Sequence, residues 1–277
     1  IHDKELTVTT LSWGDVKAQY IPKKTDMIRS WAFKWAYDNT DSQYFLTLDD
    51  DVSPNIFVGD VLKEYEKVFQ EGAPLSEYLD VGALTTSNLQ MRGFPYKDRK
   101  KREVAVQYGG WNGVLDYDAA TQISQQPEDE YFSDVVMPVP KGAAVTCCIM
   151  NCAWKRDYTS IMWQLPMLDG RYNRVGDIWS GLFIKKTLDA VGAVMVINGR
   201  ASVDHQRASN VYNSLVKEAP SVLMNDNLWE ALSTLPVPDM MEMYSDVTTH
   251  AAAFFEQYDK EYAEHFLKAR DEWLSLW

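Results

Sequence analysis

The chain has 277 residues, 46% of them hydrophobic and 13% aromatic, with a formal net charge of −13. That length makes one large domain or two small ones, with apolar residues enough for a sizeable core. The acidity argues against non-specific binding to nucleic acid or anionic membranes, where a basic surface is the usual footprint, although it leaves room for a local basic groove. No run of about 18 apolar residues is present, so no membrane span is expected. Ile1-His2-Asp3-Lys4-Glu5 is too charged for a signal peptide, and the missing initiator Met leaves room for residues upstream.

In chain order, the alternation over 5–10 predicts a strand, and 17–21 a second. Thr25 or Asp26 can cap a helix over 27–37, where Met27, Ile28, Trp31 and Trp35 keep helical spacing. Tyr44-Phe45-Leu46-Thr47-Leu48 is a β-favouring apolar run between polar flanks and predicts a buried strand. It runs directly into Asp49, Asp50 and Asp51. Three adjacent carboxylates repel one another unless neutralised, and hard oxygen ligands suit Mg²⁺ or Mn²⁺. The alternative is a solvated acidic turn; the strand in front favours the cation, because ligands of open α/β sheets bind at strand C-termini.

Residues 56–70 read as a helix and 81–86 as a strand. The block 91–102, with Arg92, Lys97, Arg99, Lys100, Lys101 and Arg102, is the one dense basic stretch. It is either a solvated loop or an anion-binding loop folded toward the acids at 49–51. A Gly-rich turn at 109–113 leads to Asp116 and Asp118, a D-x-D that could serve a metal or sugar hydroxyls, or cap a helix starting at Ala119. The two prolines in 134–142 predict an extended segment at a sheet edge, and 143–154 a buried strand region.

Cys147, Cys148 and Cys152 are spaced C-C-x₃-C without a fourth Cys or His nearby, which is no zinc pattern. They are expected as buried free thiols in a reducing, cytoplasmic setting. Asp177 falls near the start of a helix running to about Asp189, either as a carboxylate favoured by the helix dipole or as a catalytic or substrate-holding group. A strand over 193–197 follows, then His205 among polar residues, structural or a ligand. After Asn225 the composition changes. Pro236-Val237-Pro238 marks a break, and 246–277 predicts one long amphipathic helix with Phe254, Tyr258, Tyr262 and Phe266 as a packing stripe.

Several of these blocks together, in order, resemble one family. Thr47-Leu48-Asp49-Asp50-Asp51, Arg92-Gly93-Phe94-Pro95-Tyr96, the segments 111–122, 134–142 and 150–154, Asp177-Ile178-Trp179-Ser180-Gly181 and His205-Gln206-Arg207-Ala208-Ser209-Asn210 are similar to the plant reversibly glycosylated polypeptides, or UDP-arabinopyranose mutases. The resemblance covers roughly residues 20–220. It implies an α/β, GT-A-like glycosyltransferase domain with a mixed central sheet flanked by helices over 1–220, its N-terminal part shortened, and a C-terminal helical extension over 221–277. It implies a UDP-sugar substrate and Mn²⁺ or Mg²⁺ held by Asp49, Asp50, Asp51 and His205. It further implies a reversibly glycosylated Arg99, Asp116 and Asp118 near the sugar, Asp177 as a catalytic acid, and Arg92, Lys141 and Asn151 at the nucleotide sugar.

The chain departs from the family at Gly176-Asp177, where relatives carry two acids, at 168–173, which replaces a Gly-rich step, and in the uridine-binding N-terminal part. The activity implied is a UDP-pentose mutase or a transferase. One alternative is a glycosyltransferase whose macromolecular acceptor, modified viral DNA or a glycan, contacts 97–102; the net charge disfavours the nucleic acid. The other is a non-catalytic nucleotide-sugar-binding subunit of a homo- or hetero-oligomer.

Overall fold

The computed structural model describes residues 10, 27–53, 58–113, 117–126, 128, 130–206, 210–232 and 239–277. In chain order the elements are α1 (Ile28–Asn39), β1 (Tyr44–Leu48), β2 (Val52–Ser53), α2 (Val58–Glu71), β3 (Ala73–Pro74), β4 (Lys101–Arg102), β5 (Val104–Tyr108), β6 (Trp111–Gly113), α3 (Ala119–Gln125), β7 (Val136–Pro138), β8 (Asn151–Lys155) and α4 (Gly176–Val191). They continue with β9 (Val194–Asn198), β10 (Val203–His205), α5 (Val211–Glu218), α6 (Val222–Asn225), α7 (Leu228–Ala231), α8 (Met240–Phe255) and α9 (Lys260–Leu274). The architecture is mixed α/β with open sheets, as the sequence led one to expect.

Strand direction organises the molecule. The five-stranded sheet has the order β1-β8-β5-β9-β7. β8 is antiparallel to both β1 and β5, β5 is parallel to β9, and β7 is antiparallel to β9. β1, β5 and β9 therefore point the same way. From their C-terminal ends the chain passes into a second sheet of order β2-β10-β6. At the opposite end, where β5 begins, β3 and β4 form a two-stranded ribbon.

Residues of β5 are buried along the strand's whole length, as suits a central strand covered on both faces. Its one polar member, Gln107, is satisfied: its Nε2 donates to Tyr65 O at 2.8 Å and its Oε1 accepts from Asn198 Nδ2 at 2.9 Å. The main core joins Trp154 of β8, Trp179 and Phe183 of α4, and Phe255 and Phe266 of α8 and α9 in one cluster. α4 lies so close to the 143–150 segment that a Cβ on Gly181 would sit 2.5 Å from Cys147 O. Only glycine fits there.

Three expectations change. β1 is an edge strand rather than a buried one: Tyr44 and Leu48 are exposed and only Thr47 is buried. The segment predicted as a strand over 81–86 is a 3₁₀ turn, Val81–Leu84. Asp80 starts it by accepting from Gly82 N at 3.0 Å, a local bond that competes with extended structure. The long C-terminal helix is two helices. Asp259 accepts from Tyr262 N at 3.0 Å and caps α9, which turns Tyr262 and Phe266 into the core and leaves Tyr258 half-exposed at the bend.

The β7 edge position, α4 and β9 fall as predicted. The strand expected at 17–21, the strand at 5–10 apart from Thr10, the Thr25 and Asp26 cap and the Pro236–Pro238 break lie outside the described residues. Among the described residues no helix is long and apolar enough to cross a membrane.

Candidate functional site

β1 delivers Asp49, Asp50 and Asp51 to the C-terminal end of the sheet, and β2 resumes at Val52. Asp49 N donates to Met150 O at 3.0 Å, extending the β1–β8 ladder by one step. The Asp49 Oδ1 is 2.8 Å from Arg29 Nη2 in the first turn of α1. Asp50 is exposed. In the second sheet Val52 lies opposite His205, and Gln206 N donates to Asp51 O at 3.1 Å. This pairing brings His205 Nε2 within 3.6 Å of Asp51 Oδ2, with the two side chains only 9% and 13% exposed. β6 flanks β10 on the other side and sets Gly113 opposite His205.

An oxygen donor and an imidazole thus converge in a nearly dry place. The structure brings together Asp51 and His205 from the set expected to hold a cation, and gives Asp49 to Arg29. Among the described residues no group of three or more His, Cys, Asp and Glu comes close enough to hold a metal by itself.

α4 runs back along the sheet, so its N-terminus and Asp177 lie at this same end. Asp177 is near Cys147 and Cys148. Burial, followed by the Asp177 carboxylate, pushes the Cys148 thiol well above its ordinary value. Cys147 is raised by its hydrogen bond with Cys152 and by burial. All three cysteines are free and buried, as expected, and the raised thiols of Cys147 and Cys148 are poor nucleophiles.

Other residues singled out in the sequence have structural duties. Asn151 is fully buried: its Oδ1 accepts from Tyr65 OH at 2.7 Å, and its Nδ2 donates to Gly110 O at 2.9 Å and Ala201 O at 2.7 Å. It ties β8 to the loops after β5 and β9, behind the site. Asp118 caps α3: Thr121 N and Thr121 Oγ1 donate to its two oxygens at 2.9 and 2.6 Å, and these bonds hold its carboxyl below the ordinary value. That is the capping alternative of the D-x-D pattern. Asp116 lies outside the described residues.

The basic block does not fold toward the acids. Residues 101–102 form β4 against β3, immediately before β5 begins. Phe94 packs with Pro74, Pro138 and Pro140 around a small pocket, and Ser76 Oγ donates to Asp98 Oδ2 at 2.9 Å. Arg99 Nη2 donates to Phe94 O at 3.2 Å, and its guanidinium lies 3.8 Å over the Tyr96 ring. Arg92 flanks the same packed Phe94, and Lys141 N donates to Ser76 O at 2.6 Å. Arg92, Arg99 and Lys141 therefore gather at the end where β5 and β9 start. A five-residue strand at about 3.3 Å per residue puts roughly 15 Å between that end and the acids. Arg29 escaped notice in the sequence, because a helical arginine carries no local sign of the carboxylate it meets.

The family profile described as "Reversibly glycosylated polypeptide" matches residues 84–277. The acidic turn at 49–51 precedes that match. Relatives include "Probable UDP-arabinopyranose mutase 1" of Zea mays, 32% identical over 151 residues, covering 53% of this chain and 41% of the relative. "UDP-arabinopyranose mutase 1" of Oryza sativa subsp. japonica is 28% identical over 193 residues, 68% of this chain and 53% of the relative. "UDP-arabinopyranose mutase 1" of Arabidopsis thaliana is 33% identical over 141 residues, 50% of this chain and 39% of the relative. The chain spans about half the length of the curated relatives it matches, or less.

Proposed function

Because this chain belongs to the reversibly glycosylated polypeptide family, we propose that it is a nucleotide-sugar enzyme that isomerises a UDP-pentose, binding it at the C-terminal ends of β1, β6 and β10. The observation that carries this is the Asp51–His205 pair, 3.6 Å apart and almost closed to solvent. One carboxylate and one imidazole fit an ion that keeps positions open for substrate phosphates, as Mg²⁺ and Mn²⁺ do. When bound, that ion would neutralise the diphosphate as it leaves.

The chain's own groups do the rest. Asp51 and His205 would hold the ion. Arg29, on Asp49, supplies a fixed positive charge beside the departing phosphates. The Asp177 carboxylate stabilises positive charge on the sugar as the anomeric C–O bond lengthens. That bond breaks to UDP and a pentosyl cation, and a different sugar hydroxyl bonds to the anomeric carbon. The bond from that carbon to the old ring oxygen then breaks, with the hydroxyl's proton passing to that oxygen, and the bond to the β-phosphate re-forms. The atoms of substrate and product are the same, so no second reactant is consumed. Asn151 and Tyr65 keep the loops bearing Gly110 and Ala201 in place.

The test is incubation with Mn²⁺ and a panel of UDP-sugars, followed by chromatography of the nucleotides. A new UDP-pentose isomer without free UDP is expected. Free UDP would instead indicate hydrolysis or transfer to an acceptor. Asp51→Asn should reduce turnover by at least on the order of 100-fold; wild-type rates in that variant would remove Asp51 from the site.

A further inference from the structure

At the N-terminal end of α4 lies a cavity of about 10 Å³ whose wall includes Gln164, Leu165, Tyr172, Asn173, Gly176 and Asp177. Two acceptor oxygens there, Gln164 Oε1 and Asn173 Oδ1, are shielded from solvent and have no hydrogen-bond partner among the described residues. Gln164 is 1% exposed. Buried polar atoms are nearly always paired, and an unpaired one is costly. Two amide acceptors lining one cavity call for donors from outside the chain.

Gln164 is also held firmly. Its backbone N–H donates to Ser30 Oγ at 2.8 Å, and the next N–H, of Leu165, donates to Ser180 Oγ at 3.2 Å. Its side-chain Nε2 donates to Met162 O at 3.2 Å, which leaves Oε1 as the group offered to the cavity. Ser30 adjoins Arg29 in the first turn of α1, and Arg29 holds Asp49. One rigid segment therefore links the cavity to the acidic turn.

We propose that Gln164 and Asn173 form a sugar subsite, accepting hydrogen bonds from hydroxyl groups of the substrate's sugar with the Asp177 carboxylate alongside. The inference rests on the nucleotide-sugar function proposed above. Donor chemistry selects the ligand: phosphate oxygens only accept at neutral pH, whereas a sugar presents O–H donors on neighbouring carbons. The cavity's size selects the depth, since about 10–15 Å³ is needed to hold one water-sized oxygen. The ring stays outside, one hydroxyl enters to donate to the deeper Gln164 Oε1, and a hydroxyl on the neighbouring carbon donates to Asn173 Oδ1 from the half-buried side. A site built around such bonds discriminates strongly against a ligand that lacks the hydroxyls.

The experiment measures equilibrium binding of UDP and of UDP-arabinopyranose, with Mn²⁺ present, to wild type, Gln164→Met and Asn173→Ala, alongside thermal unfolding. Wild type should bind the UDP-sugar more tightly than UDP. Each variant should lose about 10-fold in UDP-sugar affinity, the worth of one such bond, and keep its UDP affinity. Gln164→Met should melt close to wild type, since loss of the Met162 bond is offset by removal of an unpaired buried acceptor. Asn173→Ala leaves the Ser30 and Met162 ties intact and serves as the second variant should methionine disturb the segment. Unchanged affinity for both ligands, whatever the melting temperature, would mean that the cavity holds an ordered water only, and would overturn the proposal. Equal weakening toward both ligands would overturn it as well, by making the role structural. If wild type binds neither ligand, the nucleotide-sugar function itself fails and takes the subsite with it.

Discussion

Asn151→Ala is expected to destabilise the fold substantially while leaving the chemistry of correctly folded molecules intact. The side chain is fully buried and makes three hydrogen bonds, from Tyr65 OH at 2.7 Å and to Gly110 O and Ala201 O at 2.9 and 2.7 Å. Each is worth about 1 kcal/mol net, and each partner left unpaired in the interior adds about 1–3 kcal/mol. The Tyr65 phenol cannot relieve the loss by ionising, because burial pushes its pKa well above the ordinary value. Partial relaxation and water entry limit the total, which we place at about 3–5 kcal/mol. For a chain of this size that lowers the melting temperature by roughly 10 °C. Asn151→Asp keeps the acceptor for Tyr65 but loses both donors and buries a charge, so it should be destabilised too. Scanning calorimetry paired with UDP-sugar turnover at a temperature where the variant is folded measures both quantities. An Asn151→Ala protein that melts within about 2 °C of wild type yet has lost turnover would refute the structural role, and would return Asn151 to direct contact with the nucleotide sugar.

The remaining predictions concern groups away from the acidic turn. Arg99→Ala should leave UDP-sugar turnover within about 2-fold of wild type, because roughly 15 Å of strand separates it from the acids; a loss above 10-fold would show that its loop reaches the site. Lys185 is fully buried and its Nζ lies 2.6 and 2.5 Å from the Asp189 oxygens, so Lys185→Met strands a carboxylate and should cost about 3–5 kcal/mol in denaturant unfolding. Lys185→Met combined with Asp189→Leu should recover most of that, and a double variant no better than the single would refute the explanation. Burial, and then Lys268, lower the pKa of His265 below its ordinary 6.5. The folded state therefore prefers the neutral ring, and its contribution is complete above pH 6.5 and lost as pH falls through the lowered value. His265→Gln should flatten the fall in stability between about pH 7 and pH 5, and an unchanged slope would exclude His265 as its source.

How much was legible in the sequence depends on whether the cause of each feature is local. Tyr44–Leu48 and its acids, the dipole-favoured start of α4, the proline-marked edge strand β7 and the Asp118 cap are written in neighbouring residues. The bend between α8 and α9 is not, because the aromatics repeat every four residues across it without a Gly or Pro. Only docking on the segment before α4 turns Asp259 from a helix residue into a cap, with Arg171 Nη1 and Tyr172 OH held on it at 2.6 and 2.9 Å. Nor does composition tell a central strand from an edge strand: β1 reads as buried, yet it has a single neighbour. The site shows the same division. Asp51 and His205 could each be named from the sequence, but their approach follows from Val52 pairing with His205. Arg29, Gln164 and the duties of Asn151 arise from contacts across more than a hundred residues or between separate elements, which leave no local pattern.

Strand direction decides which residues can share the site. β1, β5 and β9 run in parallel senses, so whatever follows them, Asp49 to Asp51, the Gly109–Gly110 turn and the stretch ending at His205, emerges at one end. α4 returns antiparallel to β9 and brings Asp177 to that end as well. Segments that precede a strand emerge at the other end. The basic block comes before β5, and Lys141 follows β7, which runs against β9. Arginines and lysines that looked suited to phosphate therefore sit at the opposite end of the sheet, and among the described residues Arg29, from the helix preceding β1, is the cation paired with the acids. Under the proposed function a strongly acidic chain can still bind a diphosphate, because the positive charge is needed only at the one end, where the carboxylate and imidazole would hold a divalent ion. Charge placed by topology outweighs charge counted in sequence.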